Sequence, residues 1–120
     1  MVKKTKINRA RSTLRDPILA RNLREIKLSL EEIIGKDFQL FLFGSRARGN
    51  PAPDSDVDLM LILPEEKFSL KLENQIRDLI YEFSLNEPYL FSVMIVKKSL
   101  AQARAGFQVF AEVEKEGISI

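Results

Sequence analysis

Phe38-Gln39-Leu40-Phe41-Leu42-Phe43-Gly44-Ser45-Arg46-Ala47-Arg48-Gly49 is followed, seven residues on, by Asp56-Val57-Asp58-Leu59-Met60-Leu61-Ile62-Leu63. The segment from Phe38 to Phe43 is short, aromatic and apolar, and is bounded by Asp37 and Gly44. That pattern predicts a buried strand ending in a glycine turn. Leu59 to Leu63, closed by Pro64, predicts a second core strand. The polar residues between them fall where two core strands meet a loop, a common setting for functional groups.

Gly44 has no Cβ, so its backbone can approach a ligand closely. Ser45 offers a hydroxyl and an N–H, and the residues after it can open a helical turn whose N–H groups favour an anion. Arg46 and Arg48 add planar donor forks suited to phosphate oxygens. The spacing is not that of a Walker A loop. A plain strand-to-helix turn with two solvated arginines would read the same, so the turn alone decides nothing. Asp56 and Asp58 add the second half. Two apart on a strand, they would share one face, with Val57 and Leu59 on the other. Paired carboxylates repel and remain ionised together only with a cation nearby. Magnesium takes oxygen ligands and shares them with phosphates, so it fits such a pair. A polar turn over Asp54-Ser55-Asp56 would explain Asp54 but not Asp58, which begins an apolar run where Asp is disfavoured.

Composition narrows the chemistry. At 120 residues the chain is expected to form a single domain over residues 16–120, behind a basic tail at 1–15. It has no cysteine, which excludes disulfides and thiol catalysis and fits a cytoplasmic setting. It has no histidine, which removes the usual general base and the usual zinc ligand. No apolar run approaches the length of a membrane span, so no membrane partner is expected. Phosphoryl chemistry needs none of the missing groups, because positioning and electrostatics carry it. The net charge of +2 conceals six basic residues within 1–15 (Lys3, Lys4, Lys6, Arg9, Arg11, Arg15), which leaves the remainder at −4. No aromatic residue is interleaved among them for base stacking, so a solvated tail is favoured over a nucleic-acid arm.

Asp16-Pro17 predicts an N-cap and first helical residue, and Leu19, Leu23, Ile26, Leu30 and Ile33 predict an amphipathic helix ending near Gly35. Phe68, Leu72, Ile76, Leu79 and Phe83 predict a second helix after Pro64. Tyr89 to Val96 predicts a third core strand, introduced by Pro88. Leu100, Ala103, Phe107, Phe110 and Val113 predict a C-terminal helix, or two short ones if Gly106 breaks it, with Gly117 as its cap. The order is α-β-turn-β-α-β-α.

Gly44-Ser45, a short turn and then Asp56-x-Asp58 resemble the signature of the nucleotidyltransferase superfamily that includes DNA polymerase beta and the kanamycin nucleotidyltransferases. Gly-Ser-Arg-Ala-Arg-Gly and the Ser55-Asp56 pair make the chain most similar to the small, stand-alone minimal nucleotidyltransferases, or MNT proteins. The resemblance runs from about Pro17 to the end and takes in Glu116-Gly117-Ile118. It implies an α/β fold of the α+β kind, a small mixed sheet with helices packed against it. It also implies Mg2+ held by Asp56 and Asp58, and ATP as substrate with its phosphates at Gly44, Ser45, Arg46 and Arg48. Transfer of AMP to an acceptor hydroxyl would release pyrophosphate. By the same resemblance the partner is a helical protein of the HEPN type, some such pairs being toxin–antitoxin systems in which the MNT protein adenylylates its toxin. A homo-oligomer is a further partner to consider.

One position departs from the family pattern. Active members carry a third carboxylate on the strand after the second helix, where it helps activate the attacking hydroxyl. The segment Tyr89 to Val96 contains no Asp or Glu, and Ser92 stands near the expected place. A serine hydroxyl neither supplies that charge nor serves as a base near neutral pH. Glu87 precedes the strand, but Pro88 separates it from the ladder. The acceptor or a partner could supply the group, or the chain could be a degenerate MNT protein that binds a nucleotide or a partner without turnover.

Overall fold

The computed structural model describes residues 16–49, 54–103 and 108–120. The basic tail at 1–15, and the parts expected of Gly106 and Phe107, lie outside the described residues. Helix α1 spans Pro17–Ile34, with the Leu19 N–H donating to Asp16 Oδ1 at 3.1 Å, as the Asp-Pro start predicts. Its buried stripe is Leu19, Leu23, Ile26, Leu30 and Ile34. The last place in the stripe goes to Ile34, while Ile33 is only partly buried. The helix stops at Gly35, at φ 88°, whose N–H donates to the Glu31 carbonyl.

Strand β1 (Gln39–Phe43) leads into the four-residue helix α2 (Ser45–Arg48), and β2 (Val57–Leu63) returns antiparallel to β1. A 3-10 turn at Glu65–Lys67 precedes α3 (Leu70–Asn86), which is capped by the Ser69 hydroxyl. Strand β3 (Phe91–Lys97) then runs parallel to β2. Two helices follow, α4 (Lys98–Ala103) and α5 (Gln108–Glu116), in agreement with the divided form of the prediction. Gly117 ends α5 by close approach: its N–H donates to the Val113 carbonyl, and a Cβ there would sit 2.4 Å from that oxygen. Its φ is not among the positive values, so it is no left-handed cap. The final strand β4 (Ile118–Ser119) pairs antiparallel with β1 and was not foreseen, two residues being too few to show a period.

The sheet order is β3-β2-β1-β4, mixed as expected. Leu40, Leu42, Leu59 and Leu61 meet α1 and Ile76 and Ile80 of α3 on one face. Phe41, Met60, Ile62 and Val96 meet Ala101 of α4 and Phe110 and Val113 of α5 on the other. Strand β2 is central and covered on both sides, which explains its unbroken apolar run from Leu59 to Leu63 where a half-exposed strand would alternate.

Candidate functional site

The connection from β1 to β2 brings the chemistry together. Phe43 is the register partner of Asp58 on β2, and Asp58 is the partner of Ser92 on β3. Phe43, Asp58 and Ser92 thus form one row across three strands at the end of the sheet. Gly44 leaves β1 at φ 77° and ψ −160°, a conformation close to glycine-only. A Cβ on Gly44 would lie 2.4 Å from Asp58 Oδ2. The glycine is therefore required twice, for its backbone angles and for the space that the carboxylate occupies. Ala47 is fully buried and pins α2 to the core, which leaves Ser45 and Arg48 on the outer side of the turn.

Asp58 sits at the second position of β2 and is half-buried, whereas Asp56 lies just before the strand and is exposed. Burial pushes the Asp58 carboxyl above its ordinary value, the charges of Asp56 and Glu112 push it further, and Arg48 partly opposes them. A partly desolvated carboxylate beside an exposed one is a donor set suited to a hard divalent cation. Among the described residues no three Asp or Glu side chains gather in the manner of a complete metal cage. An open cleft of about 400 Å3 runs past Asp58 along β3, with Phe43, Arg77, Ser92 and Met94 on its walls.

The two arginines have separate surroundings. Arg46 donates from Nη2 to the Ser55 carbonyl at 3.0 Å, and its guanidinium lies 5.0 Å from the centre of the Tyr89 ring. The Tyr89 hydroxyl in turn donates to Asp16 Oδ2. Helix α1, the start of β3, the Ser45–Arg48 turn and the residue before Asp56 are thereby braced together. Arg48 faces the opposite way, with Nη1 3.4 Å from Glu112 Oε1 and 3.8 Å from Glu116 Oε1. Glu87 is held by Arg21 of α1 at 2.9 Å.

Sequence reasoning singled out Gly44, Ser45, Asp56, Asp58 and Ser92, which the structure gathers at one end of the sheet. It missed Glu112 and Glu116, and it missed Tyr89 as the seat of Arg46. The available signal was the i, i+4 spacing of the two glutamates on the polar side of a short amphipathic helix. Nothing in that spacing points to an arginine 64 residues earlier.

Residues 23–110 match the family model described as nucleotidyltransferase domain. Over 99 residues, 82% of this chain and 94% of the relative, the sequence is 33% identical to the "putative protein adenylyltransferase MJ0141" of Methanocaldococcus jannaschii. The crystal structure of a "putative nucleotidyltransferase" from Sulfolobus solfataricus has the same fold. It aligns with a TM-score of 0.53 at 16% identity over 92% of this chain and 84% of that one.

Proposed function

The chain belongs to the nucleotidyltransferase domain family, and from that membership we propose that it moves AMP from ATP to a hydroxyl of a protein acceptor, with Mg2+ as cofactor. The observation that carries this reading is the meeting of Gly44 and Asp58, where a glycine backbone and a partly buried carboxylate share a space with no room for a Cβ. Asp56 and Asp58 would hold the magnesium, which when bound offsets phosphate charge and eases departure of pyrophosphate. Ser45 and the backbone after Gly44 bind the terminal phosphates. Arg46 holds the Ser55 carbonyl and so keeps the Asp56 loop in place. Arg48, nearly half exposed, would turn from Glu112 and Glu116 toward the triphosphate. The acceptor is a helical protein of the HEPN type and the chain acts as its antitoxin. The family resemblance supports that context, and the M. jannaschii relative's name supports a protein acceptor.

Ser92 favours a second reading, a degenerate protein that binds nucleotide or partner without transfer, because it is the register partner of Asp58 on the strand where the family resemblance expects a carboxylate. One experiment separates the two. The chain is incubated with Mg2+ and α-labelled ATP, with and without the helical partner, alongside Asp58→Asn. Label on the partner that disappears in the variant is the outcome expected for transfer. Retained ATP or partner binding without label is the outcome for the binding module.

A further inference from the structure

The row that would carry a third carboxylate ends in Ser92, and the Glu87 carboxylate is engaged by Arg21. Another carboxylate comes toward this end of the sheet from a different element. Helix α5 packs Phe110 and Val113 against Phe41 and Met60, with Phe43 at the margin of that cluster. Phe43 is also the register partner of Asp58. The turn of α5 between those two anchors carries Glu112, whose Oε1 lies 3.4 Å from Arg48 Nη1. Arg48 belongs to α2, which opens directly after the glycine that touches Asp58. Arg48 thus links Glu112 on α5 to the turn that opens beside Asp58. Both members of the pair are about a third or more exposed, so neither is locked in place.

We propose that Glu112 supplies from α5 the carboxylate that β3 lacks, accepting the proton of the attacking hydroxyl. This rests on the transfer reaction proposed above. Arg48 exchanges Glu112 for the triphosphate as nucleotide binds, which releases the carboxylate at the moment it is needed. The acceptor oxygen then bonds to the α-phosphorus, and its proton passes to a Glu112 oxygen. The bond from that phosphorus to the bridging oxygen breaks, and pyrophosphate leaves with the electron pair. Glu112 returns the proton to water. Glu112 is asked to hold no metal, so the role needs no third carboxylate against the ion.

Glu116 provides an internal control, since it contacts the same Arg48 one turn further along, at 3.8 Å. A role confined to pairing with Arg48 would be shared by both glutamates, whereas a proton acceptor is one residue. The test uses the full chain with Mg2+, α-labelled ATP and the helical partner. It compares initial rates for the wild type, Glu112→Gln, Glu116→Gln, Ser92→Asp and the double variant Ser92→Asp with Glu112→Gln. Melting temperature and ATP affinity are measured on each. Glu112→Gln should lower kcat by about 10² to 10⁴, with the ATP KM changed by no more than about threefold. Glu116→Gln should stay within about threefold of wild type. Ser92→Asp, which puts a carboxylate on the strand beside Asp58, should recover at least about tenfold in the Glu112→Gln background. Full activity of Glu112→Gln, or equal losses in both glutamine variants, overturns the proposal. Transfer by Ser92→Asp but not by wild type also overturns it, while leaving the transfer site itself standing. Transfer by neither defeats the adenylyl-transfer reading, and the role of Glu112 with it.

Discussion

Replacing Gly44 with alanine separates what the site glycine does for stability from what it does for chemistry. At φ 77° and ψ −160° an alanine is held in a region that costs about 1–3 kcal/mol. For a domain of this length the unfolding entropy is about 250 cal/mol/K, so that cost lowers Tm by about 4–12 °C. Gly35 is a matched control. Its φ 88° and ψ −171° lie in the same region, so Gly35→Ala carries the same backbone cost. The added methyl groups differ in what they meet. At Gly35 the nearest atom is Lys67 Nζ at 3.1 Å, the far end of a flexible side chain. At Gly44 it is Asp58 Oδ2 at 2.4 Å, so the carboxylate must retreat by about 1 Å to reach ordinary contact. A displacement of that size at a reacting centre costs about 10² in rate. The assay is label transfer from α-labelled ATP at a temperature where both variants are folded by circular dichroism, normalised to folded protein. Similar losses of Tm, with activity lost only in Gly44→Ala, are expected. Equal specific activity in the two variants would refute the claim that Gly44 makes room for Asp58.

Three further outcomes follow from the same geometry. Mg2+ at ten times its Kd should stabilise the wild type by about 1.4 kcal/mol, read as a thermal shift, and should not shift Asp58→Asn. Without Mg2+, Asp58→Asn should be more stable than wild type at neutral pH. Burial and the neighbouring Asp56 and Glu112 raise the carboxyl, so its ionised form opposes folding once the pH exceeds the unfolded value. At the other end of the brace, burial pushes Asp16 up, but the Tyr89 hydroxyl and the Leu19 and Ile18 N–H groups together hold it below its ordinary value. Its contribution is therefore present above about pH 4 and lost as pH falls through the lowered folded value, so Tyr89→Phe should flatten the acid limb of a denaturation series. The same variant should cost about 1–3 kcal/mol at neutral pH by urea titration. It should also keep the ring beneath Arg46, and so retain more transfer activity than Tyr89→Leu.

The difference between what the sequence disclosed and what it hid is a difference of range. Asp16-Pro17 caps a helix through atoms three residues apart, and the stripe from Leu19 to Leu30 repeats within one element, so both can be read locally. Gly44, Ser45, Asp56 and Asp58 lie within 15 residues of one another on a single strand–turn–strand unit, and their pattern is visible for the same reason. Even there the local reading was incomplete, since the two aspartates were expected on one strand and the structure begins β2 between them, at Val57. The hidden contacts all cross the fold. Tyr89 reaches Asp16 over 73 residues, and Arg48 reaches Glu112 over 64. Strand β4 is two residues long and exists because β1 offers an edge, not because Ile118-Ser119 prefers a strand. The consequence for the active site is specific. A search for a third carboxylate limited to the segment Tyr89 to Val96 stops at Ser92, because a motif assigns the group to one strand. The sheet presents its end row to anything packed nearby, and here the nearby element is a C-terminal helix bearing Glu112. A site defined by position in space can be completed by a residue with no place in the motif, and in this molecule Glu112, paired with Arg48, is the residue proposed for that place.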